Sequence, residues 1–171
     1  MLGKHDAAID EAENFMKANK VLLKEFLAMS NIWYYNMAYA YFSLGDHKRS
    51  LKYIYQFTQS AKEKVVRMDF MEMALLLEII ILIEDKELIL ADSKIRAYLR
   101  VLKANGSYNG FRKKVFQFVR KYLVNEHSDA FFRYQINVLF SNNTKEEVMI
   151  FKRFFDLGSW LNAKLKTAGV F

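Results

Sequence analysis

Residues Trp33 to Thr58 read WYYNMAYAYFSLGDHKRSLKYIYQFT, and the middle of this stretch sets the fold. A helix-compatible segment from Leu27 to Leu44 runs into Gly45, a residue that takes the left-handed backbone of a helix C-terminus without strain. Asp46 then offers a carboxylate to cap a second helix, which continues to about Ser60. Two helices joined by so short a turn fold back on one another.

The same pattern extends outward. Arg67 to Glu84 and Lys86 to Ala104 form a second pair, parted only around Asp85. Asn105 to Gly110 is the clearest loop in the chain, with two glycines in six positions. Beyond it, Phe111 to Asn125 and Asp129 to Phe140 read as helices. Thr144 and Glu147 make a capping box for a helix to about Asp156, and a last short helix covers Trp160 to Lys166. The total is about nine helices. Composition agrees: proline is absent and only 6 of 171 residues are glycine, whereas average usage predicts roughly eight prolines. With 53% apolar and 16% aromatic residues, the chain has ample material for a core and reads as all-α.

Three segments align without gaps. Leu2 to Ile9 (LGKHDAAI) matches Leu44 to Leu51 (LGDHKRSL), and Ile83 to Leu90 (IEDKELIL) follows more loosely, with Glu84 in place of the turn glycine. Each reads as a corner between two helices, and helix pairs that cannot bury their faces alone must stack. At these residues the chain resembles the tetratricopeptide repeat family, because Tyr34, Met37, Ala38, Tyr41, Gly45, His47, Ser50, Ile54 and Phe57 follow that family's order of large, small and aromatic packing residues. Arg67 to about Leu123 also resembles the tail of poorly characterised bacterial proteins with such repeats. The resemblance implies an α-solenoid of antiparallel helix pairs over residues 1–171, with 1–104 repeat-like and 105–171 a degenerate helical region. A first corner at Gly3 without its preceding helix predicts either a fragment of a longer repeat protein, the favoured reading, or a first helix that acts as a bare cap.

Chemistry-bearing motifs are scarce. Neither a P-loop nor G-x-G-x-x-G occurs. His5, His47 and His127 have no metal-ligand spacing, and the resemblance gives His5 and His47 the place of a packing aromatic. Pairs such as Asp10 with Glu13 and Glu146 with Glu147 read as solvated charge and caps, and Asn142-Asn143-Thr144 as a helix-start turn. The absence of cysteine leaves no disulfide and no thiolate site. The expectation is a non-enzyme without cofactor or metal. The acidic N-terminus shows no secretion signal, which suggests a cytoplasmic protein.

Two features suggest binding. Aromatic residues surround the helix at Trp33 to Phe42, and on the family's geometry Tyr35 and Tyr39, with Asn36, would face the inner groove of the solenoid. Charge is the second. Residues 1–85 carry 10 basic and 12 acidic side chains, whereas 86–171 carry 16 and 7, and from Ser93 to Asn125 there are 9 basic residues and no acid. Arg96, Arg100 and Lys103 share one helical face, while Lys113, Arg120 and Lys121 lie off the apolar stripe of the next helix. These nine side chains (Tyr35, Asn36, Tyr39, Arg96, Arg100, Lys103, Lys113, Arg120 and Lys121) are the candidate contacts for a protein or peptide partner, an acidic one suiting the positive surface. The alternative is a nucleic-acid-binding helical repeat using the basic stripe at 94–121.

Overall fold

In the computed structural model of the chain, the described residues are 2–19, 21, 27–63, 68–104, 110–124, 129–143, 148, 149, 152 and 155–167. Among them lie eight helices and no strand: α1 (Leu2–Ala18), α2 (Leu27–Ser43), α3 (His47–Glu63), α4 (Met68–Glu84), α5 (Leu88–Ala104), α6 (Phe111–Val124), α7 (Asp129–Ser141) and α8 (Leu157–Thr167). The proposed capping box at Thr144 and Glu147, the loop residues 105–109 and His127 fall outside the described residues. The chain divides into two compact units, Met1–Ile81 and Leu82–Phe171.

In the first unit α2 and α3 pack as the helix pair expected from the sequence. The corner between them closes in a specific way. Gly45, at φ 76°, donates its N–H to the Phe42 carbonyl at 2.9 Å, and Asp46 donates to the Tyr41 carbonyl at 2.9 Å. This doubly bonded C-cap satisfies carbonyls that the helix end would leave open. Asp46 Oδ1 accepts the Arg49 backbone N–H at 2.9 Å, capping α3. Ser50 has no exposed surface, and its hydroxyl donates to the Ala38 carbonyl at 2.7 Å, so the two backbones come close where the side chain is small.

The same corner recurs between α4 and α5, but not where the gapless alignment put it. Lys86, not Glu84, holds the left-handed backbone, at φ 64°. Its N–H donates to the Ile83 carbonyl at 3.1 Å, and Glu87 donates to the Leu82 carbonyl at 2.8 Å. Lys86 therefore corresponds to Gly45, which moves the repeat to 41 residues from the 39 implied by pairing Glu84 with the glycine. In this register Ala91 takes the place of Ser50, Ile95 that of Ile54 and Tyr98 that of Phe57, and all six are buried. The expected corner at Gly3 is also corrected, because Gly3 lies inside α1.

A carboxylate braces α1 onto the first pair. Glu13 Oε1 accepts the hydroxyls of Tyr41 at 2.6 Å and Tyr53 at 2.8 Å, whose rings stack 5.6 Å apart. Arg49 lies over the Tyr41 ring, 4.4 Å from its centroid. The two phenol hydrogen bonds hold the Glu13 carboxyl below its ordinary value of 4.5, and burial, with Glu13 second, pushes the Tyr41 hydroxyl up to about 12. In the second unit α5 packs on α6, α6 on α7 and α7 on α8. Glu84 supplies the brace here: it accepts the Trp160 indole N–H at 2.6 Å and the Lys164 ammonium, while Tyr122 packs edge-on against Trp160.

Candidate functional site

The expected groove residues of α2 part company in the structure. Tyr35 is 3% exposed and its ring meets Phe70 edge-on at 6.1 Å, so this tyrosine is a core residue and not a groove contact. The cause is periodicity: Tyr35, Met37, Ala38 and Tyr41 are all buried, since a helix apolar on every side is covered over most of its circumference. Asn36 is exposed and Tyr39 half-buried, with the Tyr39 ring tilted against Phe42 at 6.5 Å. His47 also stacks on the Phe42 ring, at 5.9 Å.

The basic candidates all lie in the second unit. Arg96, Arg100 and Lys103 are exposed on α5, Arg120 and Lys121 are exposed on α6, and Lys113 is half-buried there. Asp92 organises two of them. Its Oδ1 takes Arg120 Nε at 2.7 Å and its Oδ2 takes Arg96 Nε at 2.9 Å, tying α5 to α6. The Arg120 and Arg96 side chains are about half exposed, 44% and 58%, so the pairs orient side chains more than they stabilise the unit. Arg100, Lys103 and Lys121 form no ion pair among the described residues. Asp92 stands one position before the acid-free run from Ser93 to Asn125, which is why a count over that run missed it.

Beside this row opens a cleft of about 850 Å³ along α6 and α7. From α6 it is lined by Lys114, Gln117, Lys121 and Val124, spaced to share a helical face. From α7 come Gln135 and Val138, continued in the same spacing by Asn142 just past its end, with Arg120 and Asn143 also in the wall. Phe118 and Leu139 form an apolar floor, each nearly fully buried. Lys114 Nζ donates to Asn143 Oδ1 at 3.1 Å, and the Asn143 amide donates to the Leu139 carbonyl, which fixes one wall. The lining thus holds three cations, four carboxamides and no carboxylate.

A surface of this kind can receive carboxylates through its cations and backbone amides through its carboxamides, which both donate and accept. Of the residues singled out from the sequence, Arg120 and Lys121 line the cleft, whereas Arg96, Arg100, Lys103 and Lys113 do not. Lys114 and the carboxamides were not among those candidates. Their helical spacing, Lys114 to Gln117 to Lys121 and Gln135 to Asn142, carried the signal, but only packing of α6 on α7 shows that the two rows share a cleft. Among the described residues no three histidine, aspartate or glutamate side chains gather as a metal site, and no helix is long and apolar enough to cross a membrane. No family model, no curated protein and no solved structure matches this chain.

Proposed function

We propose that this protein is a non-catalytic interaction scaffold of the tetratricopeptide-like kind, which holds an acidic protein or peptide partner on its second unit. The observation that carries the reading is the cleft between α6 and α7, with Lys114, Arg120 and Lys121 on its walls and no carboxylate among its lining residues. The recurring corner at Gly45 and Lys86 supports the repeat character. The excess of basic residues in 86–171 supports an acidic partner, since opposite charge accelerates encounter and suppresses wrong partners. A cytoplasmic setting belongs to the same reading, because a chain without cysteine makes no demand on an oxidising compartment.

The test is affinity capture from native lysate, with and without nuclease, using the wild type and the double variant Lys114→Glu/Lys121→Glu. The expected result is one enriched protein that survives nuclease and is reduced at least tenfold by the double variant. Enrichment that vanishes with nuclease, together with recovered nucleic acid, overturns the reading in favour of a nucleic-acid binder.

A further inference from the structure

One flank of α5 differs from an ordinary solvent-facing helix surface. Ala91, Ile95, Tyr98 and Leu102 point into the second unit. Directly opposite stand the polar Ser93 and Arg100, as on any surface helix, but on the flank between the two faces Leu90, Ala97, Val101 and Ala104 are exposed. Steps of seven, four and three residues place these four on one stripe. Leu90 is 46% and Val101 49% exposed, and Ile89, at 88%, extends the apolar surface at the N-terminal end. Isolated exposed apolar residues are ordinary, but four that share one stripe are not.

The size and charge of the face select its occupant. Leu90 to Ala104 spans about 21 Å at the helical rise, the length of about four turns of a second helix. Ala97 leaves a notch between the larger Leu90 and Val101 and Ala104 a second beyond Val101, and small residues at such positions let another helix come close while its side chains fill the notches. Along one edge run Arg96, Arg100 and Lys103, and Lys94 stands at the other. Asp92, the acid on this helix beside that edge, already receives Arg96 and Arg120. A second copy laid on the same face about a two-fold axis would set these cations against their own copies. A helix with acidic flanks would match them.

We infer that the Leu90–Ala104 face of α5 docks an acidic amphipathic helix of the partner, with apolar residues on the Leu90–Ala97–Val101 stripe and carboxylates along the Arg96–Arg100–Lys103 edge. The inference rests on the acidic-partner reading and gives that partner a conformation. It is tested by selecting binders to the full chain from an unbiased library of displayed 16-residue peptides. The expected winners carry apolar residues at three- and four-residue steps with Asp or Glu between them. Val101→Asp and Arg100→Glu each weaken them at least tenfold, while Lys52→Glu, at an exposed position on α3 of the first unit, leaves them within twofold.

Winners that are acidic but lack helical periodicity, or that respond to Lys114→Glu and not to Val101→Asp, overturn the helix-docking face and leave the acidic-partner reading standing. Winners without acidic residues, or no enrichment, overturn both. Sedimentation equilibrium provides a separate check: a wild-type dimer that Val101→Asp dissociates would assign the stripe to a second copy instead. Co-sedimentation with anionic vesicles that Val101→Asp abolishes would assign it to a lipid surface.

Discussion

The corners at Gly45 and Lys86 share one backbone geometry and differ in nearly every side chain. In both, the left-handed residue and its successor return hydrogen bonds to the end of the preceding helix, and in both a residue with no exposed surface, Ser50 or Ala91, sits five positions beyond. The first corner uses glycine for the left-handed position. The second holds a lysine there, at an intrinsic cost of about 1 kcal/mol. The corner therefore goes with carbonyls that must be satisfied and with a small buried residue five positions on, and glycine at the left-handed position is not common to both. The braces beside the corners also differ in origin. Glu13 reaches Tyr41 from an earlier helix, whereas Glu84 stands on the corner helix itself and holds Trp160 from a later one.

If the small residue sets each corner, enlarging it gives the largest effect. Ser50→Leu and Ala91→Leu should each destabilise by about 3 kcal/mol, because overpacking a site without space displaces backbone. For Ser50 the hydroxyl bond to Ala38 is lost as well. Denaturant midpoints check this, and an unaffected Ala91→Leu would break the equivalence of the two corners. Removing the second brace comes next. Glu84→Ala leaves the Trp160 indole N–H and the Lys164 ammonium without their acceptor, at about 2 kcal/mol, read as early loss of Trp160 fluorescence on unfolding.

The first brace is expected to respond to pH. The folded-state value of Glu13 is lowered, so its contribution is complete above the unfolded value near 4.5 and disappears as pH falls through the folded value. Glu13→Gln should therefore be less stable than the wild type at pH 7, with the gap closing in acid. Paired denaturation curves at pH 7 and pH 3 measure it, and a gap that widens in acid would show that the Glu13 carboxylate is not what ties α1 to Tyr41 and Tyr53. The smallest effects sharpen the comparison at the left-handed positions. Gly45→Ala meets no neighbouring atom within 4 Å, so it should cost only the backbone strain, about 1 kcal/mol. Lys86→Gly should gain about 0.5 kcal/mol, less than the strain relieved because glycine adds freedom to the unfolded chain.

Much of this was legible in the residues. The ends of α2, α4 and α5 fall within two residues of the sequence reading, and the α2–α3 corner falls at Gly45, because caps and helical periodicity act over a few neighbouring positions. The second corner was misplaced by two residues for the same reason. A left-handed lysine has no local signature, and Glu84 looked like a degenerate turn residue although its work is to hold Trp160. The basic row was legible as a run of charge, but its partial neutralisation by Asp92 was not.

The sequence by itself determined an all-helical chain, the ends of α2, α4 and α5 to within two residues, and the concentration of positive charge after residue 85. These follow from backbone propensity, capping and composition, which depend on near neighbours or on none. Only the tertiary structure decided that Tyr35 turns inward, that Lys86 takes the place of a glycine, that Arg96 and Arg120 share one aspartate, and that the amides of α6 and α7 line one cleft. Each of these is settled by a partner distant in the chain or by the packing of one helix on another, as with Glu84 and Trp160, 76 residues apart. Local spacing carries no information about which distant side chain will arrive.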